Sequence, residues 1–309
     1  MIRFLKDFFF FPVASYFAFW ARFRLKKWNP RVIVITGSSG KTSLFSLIES
    51  QVGDAAHYSH HANSAIGIPF DILGLHRKTL KPFEWVILFF KAPALAFKEP
   101  YKEKLYVAEC DADRPGEGKF LARLLKPEVT LWVSSSRTHS MNFDKLVPSK
   151  FEKVEEAIAD EFGNFLERTS KLVVLDGDSE LMKGQEKRTK AKIERISIGN
   201  LDDYKVDRSG TEFRVGVQKV HIKSLQPKEI FYSIAMTNHI CRYLGIGFDP
   251  SFKNFKALPG RSSVFRGVKN ITIIDSTYNA NLSSMTAVLS MFEKFPAKEK
   301  WLVVGDMLE

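Results

Sequence analysis

Short runs of aliphatic residues recur along the first two thirds of the chain and are separated by longer segments of mixed polarity. Four of these runs lie at residues 32–35, 105–108, 129–133 and 171–176. Uninterrupted runs of this kind are typical of strands in a parallel sheet, because helices cover both faces of such a sheet. The pattern therefore predicts an α/β fold with a mostly parallel sheet covered by helices.

Hydrophobic residues between these runs recur at the spacing of amphipathic helices. Helices are predicted over residues 44–50, 120–125, 150–168, 229–244 and 283–295, and a further helix is predicted from Phe70 onward. Residues 85–90 are apolar throughout and are consistent with either a strand or a buried helix. Strands and helices thus alternate, as in proteins that bind ligands at the carboxyl edge of a parallel sheet.

The pattern changes after residue 184. Short alternating segments at residues 193–198, 212–217 and 220–222 predict a small antiparallel annex beside the parallel sheet. The charged residues around these segments are expected to lie on solvated faces.

The sequence Leu258, Pro259, Gly260, Arg261 then interrupts the chain. A strand at residues 271–275, the helix that follows it and a strand at 301–306 predict part of a Rossmann-like C-terminal domain. Such a fragment buries little core by itself, so we expect further chain or a partner chain to complete it. The chain accordingly divides into an N-terminal segment over residues 1–30, a central domain over 31–258 and the start of a C-terminal domain over 259–309.

The N-terminal segment joins an uncharged aromatic stretch, residues 8–21, to a basic one, residues 22–28. The aromatic stretch is short for a membrane-spanning helix and contains Pro12, and no signal-peptide cleavage pattern follows it. Two interpretations remain open. Residues 1–28 form a helix on an anionic membrane surface, or they pack on the domain behind them and cover their phenylalanines there.

Charge and cysteine content narrow the classes of protein. The net charge of +11 fits nucleic acid, an anionic membrane or phosphorylated substrates as a partner. No nucleic-acid reading module is recognisable, so we expect no nucleic-acid partner. Cys110 and Cys241 lie far apart without metal-ligand spacing, which indicates a reducing, cytoplasmic compartment, peripheral to the membrane if the N-terminal helix binds it.

The first aliphatic run leads into a Gly/Ser-rich loop that predicts a phosphate-binding site. The loop residues are Gly37, Ser38, Ser39, Gly40, Lys41, Thr42 and Ser43. In such loops backbone N–H groups face an anion, the lysine neutralises phosphate charge and the hydroxyl after it binds Mg²⁺. The strict Walker spacing would need glycine where this chain has Ile35, so the alternative is an ordinary strand-to-helix turn.

Two side chains at other strand ends are candidates for the same edge of the sheet. Glu109 ends the run 105–108, and His139 follows the run 129–133. A carboxylate there could complete the Mg²⁺ shell that Thr42 opens, and a neutral imidazole could bind a second metal or a phosphate. The alternatives are a solvated strand-end acid and an ordinary loop histidine.

Six ordered motifs resemble those of the Mur ligase family, ATP-dependent amide-bond-forming enzymes of peptidoglycan synthesis. They are the loop at residues 36–43, the segments 63–69 and 109–117, Pro259-Gly260-Arg261, and the segments 275–281 and 305–309. The resemblance implies an acyl-phosphate mechanism with ATP and Mg²⁺, a cell-wall precursor, and an amino acid or dipeptide as second substrate. It also implies a role in cell-wall biogenesis and cell shape.

The resemblance assigns roles residue by residue. It implies catalytic roles for Lys41, Glu109, His139 and Asn63, and it makes Thr42, Glu109 and His139 metal ligands. It further implies that Arg261, Asp275 and Asn279 bind the nucleotide together with the phosphate loop, with Asp275 on the ribose hydroxyls.

Several positions depart from the family pattern. No segment before the phosphate loop resembles the family's N-terminal UDP-binding domain. Glu229 and Ile230 replace an H-N pair, and Ile158 stands where related ligases carry a carbamylated lysine. These departures leave two alternatives open within the sequence: a family variant acting on a lipid-linked precursor at the membrane, and a degenerate nucleotide-binding subunit without catalysis.

Overall fold

The computed structural model describes residues 2–60, 62–79, 81–138, 140–278 and 280–306 of the chain. The helices are α1 (Ile2–Trp28), α2 (Lys41–Val52), α3 (Gly67–Leu73), α4 (Pro82–Ala96), α5 (Glu117–Leu125), α6 (Val154–Arg168), α7 (Glu180–Lys183), α8 (Ile230–Leu244) and α9 (Leu282–Lys294). The strands are β1 (Arg31–Thr36), β2 (His57–Tyr58), β3 (Leu105–Glu109), β4 (Val129–Trp132), β5 (Leu172–Asp176), β6 (Lys192–Ile196), β7 (Leu201–Asp207), β8 (Gly210–Val215), β9 (Gln218–Ile222), β10 (Ser263–Arg266) and β11 (Thr272–Asp275).

A parallel sheet organises the described part of the chain, with strand order β2-β3-β1-β4-β5-β6. β1 lies between β3 and β4, and both neighbours run parallel to it. Strand order reverses around β1, which is where ligands bind in open α/β sheets. The predicted parallel, helix-covered sheet is confirmed.

Alternate residues of β1 belong to two hydrophobic cores, one on each face of the sheet. Val32 and Val34 belong to a core built with α1, α3, α4, α5 and α6. Ile33 and Ile35 belong to the other core, built with α2, α8 and the strands β8 and β9. Because each strand residue faces one of two apolar layers, the uninterrupted aliphatic run is explained.

The antiparallel annex differs from the predicted one in its first strand. β7, β8 and β9 form an antiparallel sheet. The prediction that residues 193–198 belong to it is wrong, because β6 pairs in parallel with β5 and extends the central sheet. An edge strand with one solvated face shows the same alternation as an antiparallel strand, so sequence periodicity could not separate the two.

The helix expected from Phe70 onward begins at Gly67 and ends at Leu73, where Gly74 takes the left-handed conformation. The ambiguous run at residues 85–90 lies inside a helix, α4. Flanking residues lengthen the apolar run beyond the usual size of a strand, and Pro82 stands at the first helical turn.

The segment after residue 258 differs most from the expectation. β11 pairs antiparallel with β10. Met291 of α9 and Phe295, the residue after this helix, pack against Val206 of β7 and against Leu225. The prediction of a strand at residues 301–306 is wrong, since these residues form no regular secondary structure. Val303 is 96% exposed, so within the described structure no neighbouring strand covers this residue. A strand needs such a neighbour to pair its backbone N–H and C=O groups. The proposed limits of the three parts of the chain stay predictions.

The N-terminal segment forms a long helix, α1, that packs on the domain. Ala14, Phe17, Ala21 and Trp28 are fully buried, and Phe17 contacts the ring of Phe70 at 4.6 Å between centroids. Other phenylalanines of the same helix remain exposed. Within the described ranges, no helix combines the length and apolarity that crossing a membrane would need.

Candidate functional site

The Gly/Ser-rich loop turns between β1 and α2 with two glycines in conformations that other residues rarely adopt. Gly37 has φ +134°, and a Cβ atom there would lie 2.8 Å from the carbonyl oxygen of Ser134. Gly40 has φ +80°, and its Cβ would meet Val133 at 3.0 Å. The loop therefore needs glycine at both positions, for backbone conformation and for its close approach to the end of β4.

Ser134, which follows β4, holds the loop by hydrogen bonds of its hydroxyl and its carbonyl. Its hydroxyl accepts from the backbone N–H of Ser39 at 2.8 Å and donates to the carbonyl of Ser39 at 2.8 Å. Its carbonyl accepts from the N–H of Ser38 at 3.0 Å. Gly40 begins α2 without a side-chain cap, so the first N–H groups of the helix remain available to an anion in the cavity.

Lys41 lies at the first position of α2 and is 7% exposed. Its ammonium donates to the carbonyl of Gly37 at 2.5 Å and lies 3.1 Å from a carboxylate oxygen of Asp111. A buried cation costs free energy unless it is paired, and these two contacts supply its partners. The arrangement places one fixed positive charge at the centre of the loop.

Thr42 is the point at which three parts of the chain meet. Its hydroxyl donates to a carboxylate oxygen of Glu109 at 3.1 Å and accepts from the guanidinium of Arg261 at 3.2 Å. Burial raises the pKa of Glu109 above its usual range, while Lys41 and the bond from Thr42 lower it. A hydroxyl and a carboxylate side by side form a donor set suited to Mg²⁺.

A tight turn positions Arg261 for this contact. Gly260 has φ +70°, and its carbonyl accepts from the N–H of Tyr278 at 3.1 Å. The guanidinium of Arg261 lies 4.4 Å from the centre of the Tyr278 ring. Ser262 is bonded to Ser276 through its N–H at 3.2 Å, so the loop after β11 supports the turn that carries the arginine.

These groups line one cavity of about 430 Å³. The phosphate loop and Glu109 form one side, while residues from α8, the turn at Gly260 and the first half of α9 form the others. The cavity is large enough for a nucleotide-sized ligand and combines an anion-binding loop with apolar walls. We therefore take it as the candidate site.

The first residue of α5 carries a further buried carboxylate. Glu117 accepts from the backbone N–H of Ala65 at 2.8 Å, and Arg114 lies 3.7 Å from its other oxygen. Burial raises the pKa of Glu117 to about 7, against a lowering effect of the Ala65 bond. A carboxyl with this pKa changes its charge near neutral pH.

The structure brings most of the predicted site residues together. Asn63 is exposed at the cavity, and its carbonyl accepts from the N–H of Asp111 at 2.8 Å. Asp275 is not part of the cavity lining, and its carboxylate accepts from the N–H and hydroxyl of Thr277 at 3.0 and 2.7 Å. His139 and Asn279 lie outside the described residues.

Sequence reasoning singled out neither Asp111 nor Ser134, although both hold the phosphate loop. Each follows a strand that neighbours β1, at the same edge as the loop. The signal for both was present in the polar residues after the runs at 105–108 and 129–133. These polar residues could be assigned to the phosphate loop only once the strand order was known, because the strand order places both runs beside β1.

The residues present fit a nucleotide with Mg²⁺. The uncapped start of α2 and the ammonium of Lys41 suit phosphate oxygens, and Thr42 with Glu109 offers oxygen ligands for a hard cation. In the ranges that the structure describes, no group of three or more His, Cys, Asp or Glu side chains is placed to bind a metal ion. Mg²⁺ characteristically keeps water and phosphate ligands, so a two-residue set is consistent with it.

Comparison with known proteins gives a consistent picture. No protein-family model matches the chain. The UDP-N-acetylmuramoyl-tripeptide–D-alanyl-D-alanine ligase of Escherichia coli is 26% identical over 90% of the chain, and the ligase of the same name from Bacillus subtilis is 23% identical over 94%. These alignments span 58% and 59% of the two relatives, so the chain covers less than two thirds of their length.

Solved structures show the same fold. The MurF ligase of Thermotoga maritima in complex with ADP aligns with a TM-score of 0.70 at 20% identity, over 92% of this chain and 62% of that one. MurF from Acinetobacter baumannii aligns with a TM-score of 0.70 at 15% identity, over 91% and 57%. Together with the sequence relatives, these likenesses confirm the resemblance to the Mur ligase family that the six motifs predicted.

Proposed function

We propose that this Mur ligase relative is an ATP-dependent ligase that forms an amide bond on a peptidoglycan precursor. The observation that carries the proposal is the meeting of Thr42, Glu109 and Arg261 beside the paired ammonium of Lys41. Relatives that cover nearly the whole chain are named for joining D-alanyl-D-alanine to a UDP-N-acetylmuramoyl tripeptide. We assign a muramoyl peptide and an amino acid or dipeptide to this chain as substrates.

The proposed reaction has two steps. A carboxylate oxygen of the precursor attacks the γ-phosphorus of ATP, and ADP leaves to give an acyl phosphate. The amine of the second substrate then attacks the acyl carbon and loses a proton to solvent, and inorganic phosphate leaves the tetrahedral intermediate to give the amide. Both steps develop negative charge on phosphate oxygens, so fixed positive groups lower the barrier more than any covalent role of a side chain would.

The residues of this chain supply those fixed groups. Lys41 places its ammonium over the loop, and the N–H groups at the start of α2 bind phosphate oxygens. Thr42 and Glu109 would hold Mg²⁺, which neutralises phosphate charge when bound. Arg261 approaches Thr42 from the opposite side of the cavity and would neutralise the same phosphates. We assign Asn63 to the rim near the reacting groups.

A reducing compartment fits the proposal, because Cys110 and Cys241 are both buried free thiols. Burial raises the pKa of Cys241 to about 11, so this thiol stays protonated and unreactive at neutral pH. We infer that the reaction takes place in the cytoplasm, which supplies ATP.

The test is release of inorganic phosphate from ATP in the presence of a UDP-muramoyl tripeptide and D-alanyl-D-alanine. We expect release that depends on both substrates, and we expect Lys41→Ala to reduce it by about a hundredfold or more. Lys190→Ala removes a cation at an exposed surface position and serves as the control. Retained turnover in Lys41→Ala would refute the assignment, and ATP binding without phosphate release would favour the non-catalytic subunit.

A further inference from the structure

Helix α4 presents an apolar stripe to solvent. Phe83, Val86, Ile87, Phe90 and Phe97, the residue after its last turn, recur at helical spacing, and all are exposed. Phe90 is 79% exposed and Phe83 is 72% exposed. A surface helix usually turns polar residues outward, so this face reverses the expected pattern.

Helix α1 adds a second stripe beside the first. Phe19 and Phe23 are exposed, and their rings lie 5.1 Å apart. Phe97 contacts the rings of both Trp20 and Phe23, at 6.3 and 5.9 Å between centroids. The two stripes therefore form one surface, which we call the aromatic face: Phe19, Phe23, Phe83, Val86, Ile87, Phe90 and Phe97.

The opposite sides of α1 and α4 already pack on each other and on the domain. The exposure of the aromatic face therefore does not result from incomplete packing of α1. Tyr16 donates from its hydroxyl to the carbonyl of Phe89 at 2.7 Å. The buried guanidinium of Arg24 donates to the carbonyls of Leu73, Leu95 and Glu99 at 2.9, 3.1 and 3.2 Å. These bonds satisfy carbonyls at the carboxyl ends of α3 and α4 and fix how α1 sits on them.

Cations accompany the aromatic face. Arg22 and Lys26 are exposed on α1, and Lys91 and Lys98 are exposed on or just after α4. Residues 8–28 contain no acidic residue, and residues 82–97 contain only Glu84, whose carboxylate is bonded to the N–H groups of Lys78 and Thr79. Glu99, the exposed acid beside Lys98, pairs with Lys27 of α1 at 2.6 Å. The surface thus combines exposed phenylalanines with an excess of positive charge.

We propose that the aromatic face docks on the surface of an anionic lipid membrane. Phenylalanine side chains at this position would enter the boundary between headgroups and acyl chains, while Arg22, Lys26, Lys91 and Lys98 contact lipid phosphates. The charge pattern favours lipid over a protein partner, because interfaces between proteins deplete lysine at their centre and pair charges of both signs. The two helices would lie along the membrane and would not cross it, in accord with the absence of a spanning helix among the described residues.

Helix α1 also connects the aromatic face to a loop beside the candidate site. At its N-terminal half, α1 contacts the loop between β3 and α5, which contains Asp111. The guanidinium of Arg114 in this loop lies 3.8 Å from the ring centre of Phe10. Phe11 contacts Phe120 of α5 at 6.1 Å between ring centroids. The same helix therefore joins the docking surface to the loop beside Lys41. The docking proposal rests on the aromatic face alone and does not depend on the ligase activity.

Sedimentation with vesicles tests the proposal on the full chain. Vesicles of phosphatidylcholine alone are compared with vesicles of phosphatidylcholine and phosphatidylglycerol in equal parts. We expect the chain to sediment with the anionic vesicles and to dissociate as salt is raised. Phe90→Ser with Phe97→Ser should weaken this binding about tenfold or more, because two large side chains no longer enter the lipid. Lys26→Glu with Lys91→Glu should abolish the preference for anionic vesicles.

Matched variants on the other side of the sheet provide the controls. Lys253→Glu with Lys256→Glu changes the net charge equally, next to Phe252, which belongs to the opposite core. Val217→Ser removes an apolar side chain that is 98% exposed in the annex. Both should bind vesicles as the unchanged chain does, and circular dichroism should show all variants folded. Equal vesicle binding by the Phe90/Phe97 variant and these controls would overturn the proposal. A chain that does not bind vesicles would also overturn the proposal. If that chain is a dimer and the Phe90/Phe97 substitutions dissociate it, the aromatic face is the contact surface for a second copy.

Discussion

The guanidinium of Arg261 donates a hydrogen bond of 3.2 Å to the hydroxyl of Thr42, although 219 positions separate the two residues in the chain. Thr42 is the second residue of α2, and Arg261 lies in the turn before β10. This one contact closes the candidate site, because it brings the C-terminal segment to the edge of the central sheet.

Arg261→Ala should weaken ATP binding about tenfold, because a charged donor at the phosphate-binding loop is lost. Calorimetric titration with ATP and Mg²⁺ measures the change. Arg266→Ala, at an exposed position of β10, is the control and should bind ATP as the unchanged chain does. Equal affinity of the two variants would show that Arg261 does not act on the nucleotide.

Glu109→Gln should raise the Mg²⁺ concentration needed for ATP binding, because an amide oxygen is a poorer ligand for a hard cation than a carboxylate is. A shift of about tenfold in the Mg²⁺ midpoint is expected. Removing Mg²⁺ with a chelator should weaken ATP binding by the unchanged chain. Glu293→Gln, on the exposed side of α9, should leave the Mg²⁺ midpoint unaltered. A Glu109→Gln midpoint equal to that of the control would exclude Glu109 from the metal shell.

The buried carboxyl of Glu117 predicts a pH dependence of stability. Burial raises its pKa from the usual 4.5 to about 7, so the folded state binds more protons than the unfolded state between these values. The free energy of unfolding should therefore fall as pH rises through this window, by up to about 3 kcal/mol. Glu117→Gln cannot ionise and should flatten the decline.

Urea unfolding of both proteins at about pH 5 and about pH 8 measures the effect. The difference in unfolding free energy between variant and unchanged chain should shift in favour of Glu117→Gln at the higher pH. A difference that stays constant with pH would show that Glu117 titrates at its usual value.

The carboxylate of Glu161 stabilises the fold by capping a helix. Its carboxylate, in α6, accepts from the N–H groups of Gly116 and Lys119 at 2.8 and 2.9 Å and so caps the start of α5. Glu161→Ala should lower the free energy of unfolding by about 1 to 3 kcal/mol, because two N–H groups lose their partner.

Urea unfolding compares this variant with Glu152→Ala, whose acid is exposed before α6. We expect the control to change stability by less than about 0.5 kcal/mol. Equal losses in the two variants would contradict the capping role of Glu161.

The sequence alone determined the phosphate loop and the class of fold. Four aliphatic runs predicted the parallel strands because burial on both faces leaves no polar alternation, and this signal is local. Gly37, Gly40, Lys41 and Thr42 could be placed because their loop is contiguous in sequence. The Mur motifs also predicted Glu109 and Arg261, which the structure brings to Thr42.

Local sequence patterns gave wrong predictions for elements whose strand pairing depends on distant residues. β6 alternates like an antiparallel strand, yet the neighbouring β5 decides its direction. Residues 301–306 have the composition of a buried strand, but within the described structure they have no sheet to join. For α1, the sequence offered membrane contact or packing as alternatives, whereas the folded helix buries Phe17 and exposes Phe19 and Phe23.

Only the tertiary structure decided which polar groups meet. The pairing of Lys41 with Asp111, the support of the loop by Ser134 and the bond from Arg261 to Thr42 all join segments that are distant in sequence. Their meeting depends on strand order, since β3 and β4 both lie beside β1. Strand order results from how whole layers pack, so residue spacing along the chain cannot specify it. The residues set the chemistry that is available, and the packing of distant segments sets where that chemistry is concentrated.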